Sequence, residues 1–153
     1  MPKEPILPMI GIKLCGLNIE ALVDTGSEAC AISKRLYEQV LKANTSLPSF
    51  PLNGVRIVNA LGARSKPIKE QVLITFEIEG EEYEATFLVV AGLNTSTILG
   101  IDWLNEVEAI VSFDEGAIKV KGRKGEEKRL KFAEGSAIKE EEEFKRIGLC
   151  NEE

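Results

Sequence analysis

Asp24 is the acid in this sequence best placed to do chemistry. It ends the apolar run Ala21-Leu22-Val23 and opens a loop of small residues, Thr25-Gly26-Ser27. Apolar residues resume at once in Ala29-Cys30-Ala31-Ile32. Asp-Thr-Gly by itself is ordinary turn chemistry. The apolar flanks on both sides are what predict a partly buried carboxylate, and such a group is costly unless it is hydrogen-bonded, paired or reactive. The 153 residues contain no histidine. That removes Ser-His and Cys-His nucleophiles and every histidine-ligated metal site. No glycine loop reads as a Walker or dinucleotide fingerprint. Hydrolytic chemistry must then rest on carboxylates, or on a lysine or tyrosine. The other aspartates are Asp102, at a predicted helix start that suits capping or a dipole contact, and Asp114, in a predicted turn.

The elements that must position Asp24 are mostly short strands. Ile10, Ile12 and Leu14 alternate with Gly11, Lys13 and Cys15; a turn at Gly16 leads to Leu17, Ile19, Ala21 and Val23 at the same period of two. The hairpin so formed delivers Asp24 at its end. Ala29 to Ser33 reads as another strand, and Ser33 can cap a short helix with Leu36, Tyr37, Val40 and Leu41 inward. Asn44 to Asn53, with Pro48 and Pro51, reads as a loop. Val55 to Ala60 and the return from Ser65 read as strands, Pro67 suggesting an edge position. Val72 to Ile78 and Tyr83 to Val90 form a hairpin around Gly80-Glu81-Glu82. Ile98-Leu99-Gly100 precedes a short helix over about 101–105, and Ala109 to Phe113 and Ala117 to Val120 form a last hairpin. From about Gly122 the chain turns polar, with an unbroken acidic run over 140–143. A solvated helix or a disordered tail is expected there.

Composition narrows the functions further. An apolar fraction of 44% and a charged fraction of 29% fit an ordinary globular domain. A net charge of −6 argues against nucleic acid as a partner, and the basic cluster from Lys119 to Lys131 is interrupted by Glu126 and Glu127. No apolar run reaches membrane-spanning length, and the proline-rich start does not read as a signal peptide, so a cytoplasmic protein is expected. Cys15, Cys30 and Cys150 are too few and too far apart for a disulfide framework or a metal motif. No metal or cofactor is expected.

Three stretches carry a family resemblance. Ala21 to Ser33 resembles the active-site strand and loop of the retroviral-type aspartic proteases, the retropepsins. Ile98-Leu99-Gly100-Ile101-Asp102-Trp103-Leu104 resembles their second signature, and its Asp-Trp-Leu ending is similar to the gypsy-type long-terminal-repeat retrotransposon enzymes. Val58-Asn59-Ala60-Leu61-Gly62, followed by Pro67, resembles their hairpin flap. Order and spacing agree from about Met9 to Val120.

The resemblance implies an all-β, mainly antiparallel single lobe with one or two short helices, functional as a two-fold homodimer. The protease domain would span 9–121 with a flap at about 55–72, between an N-terminal extension at 1–8 and an acidic, helical or disordered tail at 122–153. Asp24 would be the catalytic residue. Aspartic proteases hold two carboxylates that share a proton, one acting as base and the other as acid. This chain has one such loop, so the partner would be Asp24 of a second copy. By the same resemblance Thr25 would cross-link the two loops and Gly26 would let substrate backbone approach. Ser27 would donate to the Asp24 carboxylate and so set the acidic limb of the pH–rate profile. Val58, Ala60, Leu61 and Gly62 would belong to the flap, and Ile32 and Ile98 to apolar pockets, with Val58 and Leu61 further candidates. Leu99 and Gly100 would be the structural signature. The substrate would be an extended polypeptide, in the family setting a Gag-Pol-type polyprotein inside retroelement particles. A domesticated, non-catalytic dimerisation or peptide-binding module is the alternative.

Overall fold

The computed structural model describes residues 8–43, 46–56, 67–122 and 124–133. Two-residue turns of one kind join the two longest hairpins. Strand β1 (Met9–Leu14) turns through Cys15 and Gly16 into β2 (Leu17–Val23). Both turn residues have positive φ, 50° and 84°, which matches the right-handed twist of the paired strands. Strand β5 (Ile68–Ile78) turns through Glu79 and Gly80 into β6 (Glu81–Val90) in the same way, with φ of 49° and 83°.

Between these hairpins lie β3 (Cys30–Ser33), helix α1 (Lys34–Ala43) and β4 (Ser49–Val55). The Ser33 hydroxyl accepts the Leu36 amide at 3.1 Å, the expected helix cap. Leu36, Tyr37 and Val40 are buried, and Leu41 is half-buried at the margin. After β6 come β7 (Thr97–Leu99), the two-turn helix α2 (Ile101–Glu106), β8 (Ile110–Ser112), β9 (Ala117–Lys121) and β10 (Glu127–Lys131).

The first seven strands make one sheet in the order β1-β2-β7-β3-β6-β5-β4, and β1 also pairs β5 at Lys13 and Leu14. The sheet thus folds back on itself around its core. Most pairings are antiparallel; β2 with β7 and β3 with β6 are parallel. The expected mainly antiparallel lobe with short helices is the one observed. At its centre Phe76, Tyr83, Phe87 and Trp103 pack with ring centroids 5.5 to 6.0 Å apart. Trp103, fully buried, anchors α2 to this cluster.

Four expectations need correction. Residues 49–55 form strand β4, not part of a loop. As the outermost strand of the sheet, β4 can accommodate Pro51, which has no amide to give. Pro67 precedes β5 and does not mark an edge, since β5 lies between β4 and β6. The strand expected from Val55 is already ending there, and the flap positions Val58, Ala60, Leu61 and Gly62 lie outside the described residues. The domain also does not stop at 121. Charged residues 127–131 pair with β9, bury Leu130 and complete a second sheet, β10-β9-β8. Ala133 then donates its amide to the Met9 carbonyl at 2.6 Å.

Thr97 is fully buried at the start of β7, and its hydroxyl has no partner among the described residues. An unmade buried hydrogen bond costs about 1–3 kcal/mol. Thr97→Val is therefore expected to raise stability by roughly 1 kcal/mol, read as a higher urea midpoint at unchanged slope; a lower midpoint would show that the hydroxyl is satisfied.

Candidate active site

Asp24 follows directly on β2. The parallel register of β2 with β7 sets Leu22 beside Ile98 and Val23 beside Leu99, and the Asp24 amide donates to the Leu99 carbonyl at 3.0 Å. The carboxylate is half-buried. Its Oδ1 accepts the Gly26 amide at 2.9 Å, and the Ser27 amide donates to the Asp24 carbonyl at 3.1 Å. The loop is thus a tight turn that aims the acid outward while fixing one of its oxygens. Thr25 and Gly26 are exposed at its tip.

The far side of the loop is held by α2. Ile101 donates its amide to the Ser27 carbonyl at 2.7 Å, and Asp102 donates to the Glu28 carbonyl at 3.2 Å. Amides at the start of a helix have no partner within it, and here two of them grip the loop. Gly100 makes the approach possible. A Cβ on Gly100 would lie 2.8 Å from the Ser27 carbonyl oxygen and closer still to that of Ala29. Leu99, fully buried in the main core, fixes the strand on which this junction rests.

Cys30 closes the arrangement from below. Its Sγ accepts the Gly100 amide at 3.4 Å and donates to Asp102 Oδ1 at 3.2 Å, and the same oxygen accepts the Trp103 amide at 2.7 Å. Burial, first of all, pushes the thiol from 9.0 up to about 12; the Gly100 amide opposes the shift and the Asp102 carboxylate adds to it. Cys30 is thus a neutral, packed thiol. Asp102, expected as a cap or dipole contact, ties helix to strand through these bonds.

Ser27 does not bond as expected. Its hydroxyl donates to the Ala29 carbonyl at 2.8 Å instead of to the Asp24 carboxylate. Ile32 also departs from expectation. It packs in the main core with Leu99, on the opposite face from Ile98. The residue paired with Ile98 across β3 and β7 is Ala31. Ala31, Ile98, Leu22 and Val90 share a second apolar cluster with Ile68, and Leu52 and Val55 of β4 pack against it. Leu22, two residues before Asp24, carries this apolar cluster up to the base of the loop. A surface cavity of about 450 Å³ is lined by Lys13, Cys15, Glu77, Glu82 and Glu84 among others and includes no residue of the 24–29 loop. No cluster of metal-ligating side chains occurs among the described residues.

A model of the PEG10/RTL1 protease domain matches residues 20–128, from β2 into β10. The chain belongs to this family. Two solved structures show that this chain has the fold of the retroviral-type aspartic proteases. The retroviral protease-like domain of Ddi1 from Leishmania major superposes with a TM-score of 0.61 at 14% identity, over 89% of this chain and all of that one. EIAV protease, in complex with the inhibitor HBY-793, superposes with a TM-score of 0.53 at 18% identity, over 74% of this chain and 96% of that one. No curated protein matches in sequence. The match to Ddi1 agrees with a lobe that extends beyond β9.

Two outcomes test this geometry. Gly100→Ala forces a methyl group against backbone carbonyls, and a loss of about 1–3 kcal/mol is expected by thermal or urea unfolding. Unchanged stability would show that the clamp can open. The second concerns pH. Because the Cys30 thiol sits near 9 when unfolded and about 12 when folded, the unfolded chain releases a proton over that interval which the folded one keeps. Its contribution is full below pH 9 and falls as pH rises towards 12. Tyr83, raised from 10.0 to about 12 mainly by burial, acts in the same direction. Cys30→Ser is expected to flatten the lower part of the alkaline fall in urea-derived stability.

Proposed function

We propose that the chain is an aspartic endopeptidase whose site is built from Asp24 of two copies. The observation that carries this is the held carboxylate: Asp24 Oδ1 on the Gly26 amide at 2.9 Å, in a loop clamped from behind by α2 and open in front. The family and fold are those of a protease. One carboxylate can be base or acid but not both in a single step. Paired across a two-fold axis, two share one proton. The ionised one accepts a proton from a water molecule, which attacks the scissile carbonyl carbon. The other donates its proton to the carbonyl oxygen. The tetrahedral species then collapses as the amine leaves with a proton, without a covalent enzyme intermediate.

Substrate would lie extended across the loop, its main chain pairing in strand fashion with the β4–β5 hairpin and its side chains alternating into pockets. Ile98 remains a pocket candidate. Ala31 takes the place expected of Ile32, because it shares the face of Ile98. In its family setting the substrate would be a polyprotein that carries the enzyme itself.

Asp24→Asn is expected to reduce cleavage of an unfolded-protein or peptide-library substrate by at least about 10²-fold, the scale of lost acid–base catalysis, while the circular dichroism spectrum stays unchanged. Cleavage that survives the change would sink the assignment. Cleavage absent already from the wild-type chain would favour the non-catalytic module. Ser27→Ala serves as the contrast. Since the hydroxyl serves the Ala29 carbonyl, its removal is expected to cost about 1 kcal/mol of stability and to leave the acidic limb of the pH–rate profile in place.

A further inference from the structure

The two faces of the β5–β6 hairpin differ sharply. Ile74, Phe76, Ile78, Tyr83 and Phe87 fill the core from its inner face. On the outer face Thr75, Glu82 and Glu84 are exposed and Glu77 is half-buried. The register sets Glu77 directly opposite Glu82, and Thr75 opposite Glu84. Like charges directly opposite one another weaken a sheet. No cation relieves them within the chain. The ion pairs among the described residues engage Glu81, Glu108 and Glu115, and none involves Glu77, Glu82 or Glu84. Lys13 stands across the β1–β5 ladder from Glu77 without forming an ion pair with it.

These carboxylates do not lie on a flat surface. They line the cavity of about 450 Å³, whose apolar wall is Leu47, Pro48 and Leu73. A second hollow of about 280 Å³ shares Lys13 and Glu77 with it and adds Glu79. The two form one trough, with four carboxylates against a single ammonium group. Cys15 and Gly16 line it at the start of β2, whereas Asp24 follows the end of β2. The seven residues of that strand separate trough and catalytic loop by about 23 Å.

We propose that this trough binds a basic segment of a partner polypeptide in extended conformation. Charge selects a cation, and the ladder selects its spacing. Glu82 and Glu84 are two residues apart on one face, about 7 Å along the strand. Alternate side chains of an extended peptide repeat at that same distance. A guanidinium group between Glu77 and Glu82 answers both carboxylates at once. The apolar wall receives the aliphatic stems of arginine or lysine, a contact that a small cation does not make. The proposal is independent of the protease reading, because the trough includes no residue of the 24–29 loop.

The probe is a capped hexapeptide of alternating arginine and threonine, titrated into the isotope-labelled full chain. Saturable amide shifts are expected within 13–16 and 73–84. The double variant Glu82→Gln/Glu84→Gln is expected to raise Kd by at least about fivefold at an unchanged circular dichroism spectrum. A peptide of the same composition with its arginines in one block, and spermidine, are expected to bind more weakly. Without peptide, Glu82→Gln is expected to raise the urea midpoint, because it removes one of two facing charges. If the double variant fails to fold, the position of the shifts on the unmodified chain decides. Absence of saturable binding, shifts only elsewhere, or an unchanged Kd in a folded double variant overturns the proposal. Equal binding of the block peptide or of spermidine overturns the extended polypeptide as occupant. A lowered midpoint for Glu82→Gln overturns it too, since the carboxylate then serves the fold. Cleavage, present or absent, bears on Asp24 alone.

Discussion

The close approach of Gly100 to the carbonyls of Ser27 and Ala29 is the constraint from which the rest of the site follows. Because no side chain stands at 100, the first amides of α2 reach the loop that begins at Asp24. Those amides would otherwise need water or a capping side chain. The loop carbonyls would likewise need donors. Each set answers the other, and the result is a loop fixed by backbone bonds, with one oxygen of the Asp24 carboxylate held by the Gly26 amide. Groups held in that way keep their geometry when the surface around them changes.

Trp103 and Cys30 transmit the hold to the core. Trp103 lies among Phe76 and Tyr83, so α2 cannot shift without disturbing the β5–β6 hairpin. Cys30 links Gly100 to Asp102 while sitting on β3. A helix of six residues has little stability of its own. Here it owes its place to packing on one side and to the loop on the other.

The sequence was most legible where chemistry and periodicity coincide. The Asp24 loop, the hairpin before it and the Leu99–Gly100 junction all carry apolar residues at strand spacing next to a residue of special type. Legibility failed where burial or charge hid the period. In β3 all four residues are buried, so no polar alternation tells which side chain faces which way, and Ile32 was read for Ala31. Prolines masked β4, whose place at the sheet margin makes them tolerable. The charges of β10 suggested a solvated tail, although its single leucine, Leu130, is buried once the strand pairs with β9. Ser27 shows a different limit. A hydroxyl has several acceptors within reach, and only coordinates decide among them.

The strap from Ala133 to Met9 has a topological meaning. It brings the first of the described residues beside the last of them. A folded unit with adjacent entry and exit can be inserted into a larger polypeptide without forcing the flanking segments apart. It can also be cut open elsewhere and rejoined by a short linker between residues 8 and 133, its ordering then set by the sheet and not by the direction in which the chain is read.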